Sequence, residues 1–186
     1  VYADGLRTLG RLYAAAGDSV LAREAESRAH RVEAAVNGEC WDPARGHWVH
    51  LWRRARRPVS VLTAASIMPL IMEGTPRERV AEVVSRHLTN PAEFWTHTPV
   101  PSVAASEPAF DAEGERLIWR GPTSLNLNWF FVRGLRRHGF NAEAEHIAAR
   151  SRAAVEQSYF REFYSPLTGR GMRGTNFGWA TVAAAM

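Results

Sequence analysis

The sequence predicts an all-α fold in which helices are paired in an inner and an outer layer, as in a helical toroid. Hydrophobic residues recur with a period of about 3.6 residues through most of the chain, and apolar helices alternate with charged ones along it. No repeat of fixed period accompanies this alternation, which argues against a regular solenoid. The 186 residues, 46% of them hydrophobic, suit one globular domain or a large part of one.

The first two helices are predicted by periodicity and by their end signals. Apolar residues recur at helical spacing over residues 4–16, and Gly17 ends this run. Asp18 or Ser19 then caps a second helix, which closes near Gly38.

The middle of the chain alternates between irregular and helical segments. Residues 41–52 lose the helical period at a proline and a glycine, which predicts a turn or a short hairpin. Residues 60–72 predict a mostly apolar helix with Pro69 near its end, and a charged amphipathic helix starts at Pro76. Residues 89–118 predict a long irregular segment, and its aromatic residues and prolines favour an ordered one.

Three more helices are predicted over residues 122–138, over residues 142–158 and from Asn176 onward, with a loop between the last two. We expect an inner layer of helices that start near Ser60, Pro122 and Asn176. We expect an outer layer of helices that start near Ser19, Pro76 and Ala142.

The composition excludes several classes of site. No stretch approaches the roughly 18 apolar residues of a membrane span, so no membrane partner is expected. Cys40 is the only cysteine and the histidines are scattered, so we expect no disulfide and no metal. No phosphate-binding glycine-rich loop is present, and no cofactor is expected. The first ten residues lack an apolar signal-peptide core and an initiator Met, so we expect a piece of a longer protein, for which the missing signal says little about the compartment. The location expected for that protein is the cytoplasm.

The excess of basic over acidic residues makes nucleic acid a candidate ligand. All 23 basic residues are Arg, the isoelectric point is near 10.0, and the run "WRRARRP" at residues 52–58 places four of them beside Trp52. The alternative is a solvated loop or helix start. Because no second basic stripe or nucleic-acid motif supports the first interpretation, we expect no nucleic acid partner.

A carboxylate near the C-terminus is the strongest catalytic candidate. Glu162 lies between aromatic residues just before a loop rich in proline and glycine. Carboxylates rarely enter such surroundings unless they are paired or take part in chemistry. Two interpretations follow: Glu162 is neutralised by Arg161, Arg170 or Arg173, or it has a catalytic role.

The aromatic residues favour a carbohydrate ligand. The chain has seven tryptophans, and most lie at helix starts or in loops. Flat apolar rings can stack on sugar faces, while Arg, Asn and carboxylate groups bind sugar hydroxyls. The alternative for any single ring is core packing.

Two motifs carry a resemblance to a known family. "WRGPTSLNLNWFFVRGLRRHGF" followed by "FREFYSPLTGRGMRGTNFGWATV" is similar to the C-terminal half of glycoside hydrolase family 63 and its mannosylglycerate and glucosylglycerate hydrolase relatives, and more distantly to trehalases. The stretches "WDPARGHW" and "PSVAASEPAF" extend the resemblance over nearly the whole chain. It implies an (α/α)6 barrel, with residues 1–186 as the C-terminal part of one such domain.

The resemblance also implies a mechanism and a set of site residues. Family members hydrolyse α-glycosidic bonds with inversion, using an Asp as general acid and a Glu as general base. The base position corresponds to Glu162. The substrate-binding positions correspond to Trp119, Arg120, Gly121, Tyr164, Trp179 and Trp41. Trp119 and Arg120 are expected to start an inner helix at the pocket rim, and Asn126 and Asn128 to form hydrogen bonds between helices.

The chain departs from the family pattern at three points. Ile118 and Ser124 stand where relatives commonly carry Tyr and Trp, and the motif that holds the general acid lies upstream of this chain. The resemblance implies that the complete enzyme acts on a small α-glucoside or α-mannoside, with a glycosylglycerate as one candidate. We expect the isolated chain to be inactive and to need the N-terminal half of its own domain. The alternative is a non-catalytic helical domain that binds carbohydrate or another partner.

Overall fold

The computed structural model describes residues 1–52, 57–114 and 118–186, and more than half of these residues are helical. Strands occur in the described ranges only as three separate two-stranded ribbons, so no large sheet is present there. The predicted all-α class is therefore confirmed. Most of the arginine-rich run, residues 53–56, lies outside the described residues.

The first two helices form a hairpin. Helix α1 covers Tyr2–Ala15 and α2 covers Ser19–Ala35, and Gly17 takes a left-handed conformation between them. The Asp18 carboxylate accepts hydrogen bonds from two backbone N–H groups in the first turn of α2, as an N-cap residue does. The expected helices and the expected cap are both present.

Two short ribbons follow where a single turn or hairpin was expected. A π-helical turn over Val36–Cys40 leads into β1 (Trp41–Asp42), which pairs with β2 (His47–Trp48). Strand β3 (His50–Trp52) then pairs with β4 (Arg57–Val59). All these pairings are antiparallel.

A single helix was expected over residues 60–72, and this predicted extent is wrong. Helix α3 covers only Ala64–Ile67, and a 3-10 turn over Met68–Ile71 follows it. The start is set by Thr63, which is extended and forms a capping box with the third residue of α3. The end is set by Pro69, because its ring and missing N–H disfavour a continuing α-helix and favour a tighter turn.

Helix α4 covers Arg77–Val83, directly after Pro76 as expected, and continues as a π-helical turn over Val84–Leu88. The described part of the next segment is irregular but ordered, as its composition indicated. Phe94 and Val100 in this segment are completely buried.

The last third of the chain contains two long helices, a ribbon and a 3-10 helix. In order they are α5 (Leu125–Arg137), α6 (Asn141–Ser158), β5 (Arg161–Tyr164) paired with β6 (Gly171–Thr175), and the 3-10 helix Gly178–Ala185. The ribbon replaces an expected loop, and the final helix is 3-10 and starts after Asn176. Helix α5 starts later than Pro122 because Thr123 is held extended by backbone pairing with Tyr164.

Helix α5 lies at the centre of the hydrophobic core. Its residues Phe131, Val132 and Leu135 are completely buried. Gly134 packs so closely on Ile71 that a Cβ at this position would lie 2.7 Å from the Ile71 Cα. Helix α6 packs on α5 through one face of small and apolar residues. The two helices therefore pack directly on each other, and their assignment to the inner and the outer layer of the toroid stays a prediction.

The two asparagines of α5 have different roles. The Asn128 Nδ2 donates to the Ser151 hydroxyl of α6 at 3.0 Å and to the carbonyl of Pro99 at 3.3 Å, so the expected bond between helices is confirmed. The expectation is wrong for Asn126. Its side-chain oxygen accepts from the Ser124 hydroxyl and from the backbone N–H of Leu127, at the start of its own helix.

Candidate active site

The β5–β6 ribbon positions the candidate carboxylate. Its turn is closed by backbone hydrogen bonds from the N–H of Ser165 to the carbonyl of Arg170 (2.8 Å) and from the N–H of Gly169 to the carbonyl of Ser165 (2.9 Å). Gly169 has a φ of 73°, a conformation that favours glycine. The Ser-Pro-Leu-Thr-Gly motif therefore makes a tight turn between two strands.

Glu162 lies half-buried in β5. Its Oε2 accepts a long hydrogen bond, 3.4 Å, from the backbone N–H of Gly174 in β6. Within the described part of the chain, no ion pair includes this carboxylate. Because a carboxylate offers about four lone-pair positions, most of its capacity to accept hydrogen bonds remains available to water or a sugar hydroxyl.

The arginines that could neutralise Glu162 point to other partners. Arg161 donates to the carbonyl of Arg173 at 2.9 Å, and Arg173 donates to the carbonyl of Gly114 at 3.0 Å. Arg170 forms an ion pair with Glu113. The contacts among the described residues therefore give no support to an Arg-paired structural role for Glu162.

Trp119 is linked to the strand that carries Glu162. Its ring packs edge-on against Phe163, with ring centroids 5.2 Å apart and an interplanar angle of 87°. The residue is 63% exposed, so most of the indole is open to a ligand. Arg120 is also exposed, and its guanidinium makes no hydrogen bond or ion pair with another described residue.

These two residues do not start an inner helix, and that expectation is wrong. They lie in a 3-10 turn over Ile118–Arg120, and α5 begins only at Leu125. A hydrogen bond holds the backbone of this 3-10 turn: the carbonyl of Arg120 accepts from the N–H of Asp111 at 2.7 Å.

Trp179 is linked to the same ribbon through its other strand. It is 62% exposed and packs edge-on against Phe177, with centroids 5.9 Å apart. Phe177 in turn lies close to Gly174, the residue that donates to Glu162. Contacts thus connect the ribbon that carries Glu162 to two exposed tryptophans, to Trp119 through Phe163 of β5 and to Trp179 through Phe177 beside Gly174 of β6.

The family of the chain follows from a comparison with known domains. The family model described as "Mannosylglycerate hydrolase MGH1-like glycoside hydrolase domain" matches residues 1–180. The chain belongs to this family. Its predicted resemblance to glycoside hydrolase family 63 and to mannosylglycerate hydrolases is confirmed.

Individual relatives agree with this assignment. The chain is 35% identical to the mannosylglycerate hydrolase of Thermus thermophilus over 147 residues, which cover 77% of the chain and 34% of that protein. It is 30% identical to the mannosylglycerate hydrolase of Rubrobacter radiotolerans over 155 residues, 83% of the chain and 35% of that protein. The chain thus spans about a third of the length of these relatives.

A solved structure shows the same fold. The crystal structure of a GH63 mannosylglycerate hydrolase from Thermus thermophilus in complex with glucose superposes with a TM-score of 0.85 and 28% identity. The match covers 98% of this chain and 44% of that one. This MGH1-like chain is therefore part of an (α/α)6 helical toroid, as predicted.

Two of the predicted substrate-binding residues of the MGH1-like chain lie below its surface. Tyr164 is completely buried, and burial raises the pKa of its phenol. Its hydroxyl donates to the carbonyl of Tyr159 at 2.7 Å and accepts from the N–H of Arg161 at 3.0 Å. Gly121 is also buried, and a Cβ there would overlap the carbonyl of Asp111. Burial and local packing therefore explain both residues in the described structure.

Trp41 belongs to a different group of contacts. Its ring packs edge-on against Trp48 at 4.7 Å, and the Arg79 guanidinium lies 4.9 Å from its centroid. In the described residues, none of these contacts connects Trp41 with Glu162, Trp119 or Trp179. The sequence motif around Trp41 thus has a structural explanation in the β1–β2 ribbon.

Glu113 contacts the ribbon and was not among the predicted site residues. It accepts a hydrogen bond from the hydroxyl of Ser165 at 3.1 Å and pairs with Arg170. No local pattern distinguishes it from the other acidic residues of its segment, so only the tertiary contact reveals it.

The described residues also exclude two kinds of feature. They contain no group of three or more His, Cys, Asp or Glu side chains placed to hold a metal ion. No described helix combines the length and the apolar character needed to cross a membrane.

Proposed function

We propose that this MGH1-like chain supplies the general base and part of the sugar-binding surface of an inverting glycosidase for small α-glycosides. The observation that carries the proposal is the position of Glu162, which has no charged partner among the described residues and lies on the β5–β6 ribbon, against which the exposed Trp119 and Trp179 are placed through Phe163 and Phe177. The names of the relatives, mannosylglycerate hydrolases, favour a glycosylglycerate as the substrate.

In this proposal Glu162 activates the attacking water. Inversion requires a carboxylate that takes a proton from water as the water attacks the anomeric carbon, and a second carboxyl roughly 6.5–9.5 Å away that protonates the leaving oxygen. The N–H of Gly174 orients one oxygen of Glu162, and the other oxygen can hold the water. The exposed rings of Trp119 and Trp179 then stack on the apolar faces of the substrate.

The general acid belongs, in this proposal, to a part of the domain that this chain does not include. An open groove supports this, because α1 leaves Leu9 and Leu12 exposed beside Trp129 and Phe130 of α5. A contiguous apolar surface of this kind is usually covered in the working protein. We expect the rest of the toroid to cover it, and we expect the isolated chain to be inactive and to self-associate.

The test uses the complete protein and mannosylglycerate. Glu162→Gln preserves size and hydrogen bonding but removes basicity, so we expect kcat to fall about 10²–10⁴-fold while calorimetry shows little change in substrate affinity. Azide or formate should restore turnover in Glu162→Ala, because a small anion can occupy the position of the activated water.

The matched control is Glu156→Gln, an exposed glutamate on α6, which should keep normal turnover. Near-normal kcat in Glu162→Gln would refute the base assignment. Sugar binding without hydrolysis by the complete wild-type protein would instead support the alternative, a non-catalytic carbohydrate-binding domain.

A further inference from the structure

Glu113 joins two segments of the candidate site. Its Oε1 accepts a 3.1 Å hydrogen bond from the Ser165 hydroxyl, and its Oε2 pairs with the Arg170 guanidinium. Ser165 and Arg170 are the two residues whose backbones close the turn between β5 and β6. One carboxylate therefore binds both ends of the turn that follows Glu162 in sequence.

The backbone around Glu113 is fixed to the other side of the site. The N–H of Asp111 donates to the carbonyl of Arg120 at 2.7 Å, and the N–H of Gly114 donates to the Asp111 carbonyl at 3.1 Å. The carbonyl of Gly114 accepts from Arg173 of β6 at 3.0 Å. Residues 111–114 thus lie between the Trp119–Arg120 segment and the ribbon, with hydrogen bonds to both.

We infer that Glu113 is a positioning residue that fixes the place of the β5–β6 ribbon relative to the Trp119–Arg120 segment. It has no described contact with Glu162, so it acts through the ribbon. Ser165 is completely buried, and its hydroxyl fixes one carboxylate oxygen while Arg170 holds the other. Two-point binding of this kind restricts rotation of the carboxylate, which makes it an effective connector between two loops.

The consequence for the reaction rests on the proposed function. A general base must hold its water in line with the anomeric carbon, and a displacement of about 1 Å can cost roughly a hundredfold in rate. The tryptophan and arginine side chains place the sugar, and the ribbon places the base. Loss of Glu113 should therefore lower kcat more than it raises KM.

The first measurement is independent of activity. Hydrogen exchange of the complete protein should show amides of residues 111–114 and 165–171 exchanging about tenfold faster in Glu113→Ala than in the wild type. Arg170→Ala, which removes an exposed partner, should give a smaller increase in the same segments. Glu145→Ala is the matched control, because Glu145 forms a comparable exposed ion pair with Arg152 on α6, and it should leave both segments unchanged.

The second measurement is the kinetics of the same variants in the complete protein. We expect kcat to fall about 10- to 100-fold in Glu113→Ala, with recovery of much of it in Glu113→Gln, which can still accept from Ser165. The pH profile of kcat should keep its shape in Glu113→Gln, since the side chain exchanges no proton with the substrate.

The outcomes separate this inference from the proposed function. Unchanged exchange in both Glu113→Ala and Arg170→Ala would overturn the connecting role. Faster exchange with unchanged kcat in an active enzyme would overturn the positioning role. If Glu162→Gln keeps normal turnover, the proposed function fails, while the exchange experiment still decides whether Glu113 connects the two segments.

Discussion

Thr123 and Tyr164 exchange two backbone hydrogen bonds, N–H to carbonyl in both directions, at 2.9 and 3.0 Å. Thr123 follows the Trp119–Gly121 motif, and Tyr164 lies two residues after Glu162. The Thr123 hydroxyl also donates to the carbonyl of Thr98 at 3.0 Å, which ties this pair to the buried irregular segment. The two sequence motifs are therefore joined through their backbones, independently of the side chains that we propose to face a sugar.

The first prediction concerns the buried phenol of Tyr164. Tyr164→Phe removes the acceptor of the Arg161 N–H and the donor to the Tyr159 carbonyl. We expect the free energy of unfolding to fall by about 1–3 kcal/mol, the cost of leaving buried polar groups without partners. Urea denaturation measures it, with Tyr159→Phe as the control, because the Tyr159 ring is exposed. Equal stability of the two variants would contradict the structural role.

Gly121 and Gly5 give a paired prediction. Gly121→Ala should destabilise the protein by roughly 1–3 kcal/mol and weaken sugar binding, because a Cβ there overlaps the backbone of Asp111. Gly5→Ala, in α1 with no atom near the added methyl, should instead stabilise it by about 0.5–1 kcal/mol. Thermal unfolding of both variants gives the comparison. Opposite signs are expected, and a Gly121→Ala variant as stable as the wild type would refute the close packing.

A third prediction concerns the pH dependence of stability. Arg7 and Glu33 form a buried ion pair, with Nη2 and Oε2 2.6 Å apart. Burial by itself raises the pKa of Glu33, but hydrogen bonds from Arg7 and from the N–H of Gly74 outweigh it, and the net pKa lies below the ordinary value of 4.5. The ion pair therefore makes its full contribution to the free energy of unfolding above pH 4.5. This contribution is lost as the pH falls through the lower pKa that Glu33 has in the folded state.

Glu33→Gln tests this prediction. Glu33→Gln removes the buried partner of Arg7 but leaves the ion pair of Arg7 with the more exposed Glu26, so we expect a loss of about 1–3 kcal/mol near neutral pH and a smaller difference from the wild type in acid. Urea denaturation across the acid range gives the free energy of unfolding at each pH. Glu24→Gln, on the exposed side of α2, should follow the wild-type curve. If the free energy of unfolding of Glu33→Gln ran parallel to that of the wild type at every pH, the proposed contribution of Glu33 ionisation to stability would be contradicted.

The fourth prediction concerns the exposed tryptophans in the complete protein. Trp119→Ala and Trp179→Ala should each raise KM for mannosylglycerate about threefold to tenfold, since each removes a stacking surface worth roughly 0.5–1.5 kcal/mol. Turnover should fall less, because such contacts are made in both ground and transition states. Trp52→Ala is the control, an equally exposed ring on β3. A similar rise in KM for all three variants would show that neither candidate ring binds the substrate specifically.

Several features of this protein follow from the sequence alone, because they depend on residues that are neighbours along the chain. The helical period and the Gly17–Asp18 junction predict α1 and α2 with their cap, and Pro76 predicts the start of α4. The order of the two C-terminal motifs identifies the family, and the match of the family model to residues 1–180 confirms it.

Other features were decided only by tertiary contacts. The REFY segment has no strong strand signal, yet it forms β5 because β6 and Thr123 supply partners for its backbone. The same pairing holds Thr123 extended and delays the start of α5. Local preference could not predict this, since the backbone hydrogen bonds that outweigh helix propensity come from residues far away in sequence.

The surroundings of Glu162 were likewise predicted in part from the sequence and decided in part by tertiary contacts. Its place among aromatic residues identified it from the sequence, but three nearby arginines left its pairing open. The fold decided this by giving those arginines other acceptors: the carbonyls of Arg173 and Gly114, and the carboxylate of Glu113. Sequence can show which charges are near one another along the chain. Which charges meet depends on where distant backbone segments are brought together, because an ion pair forms only within a few ångströms.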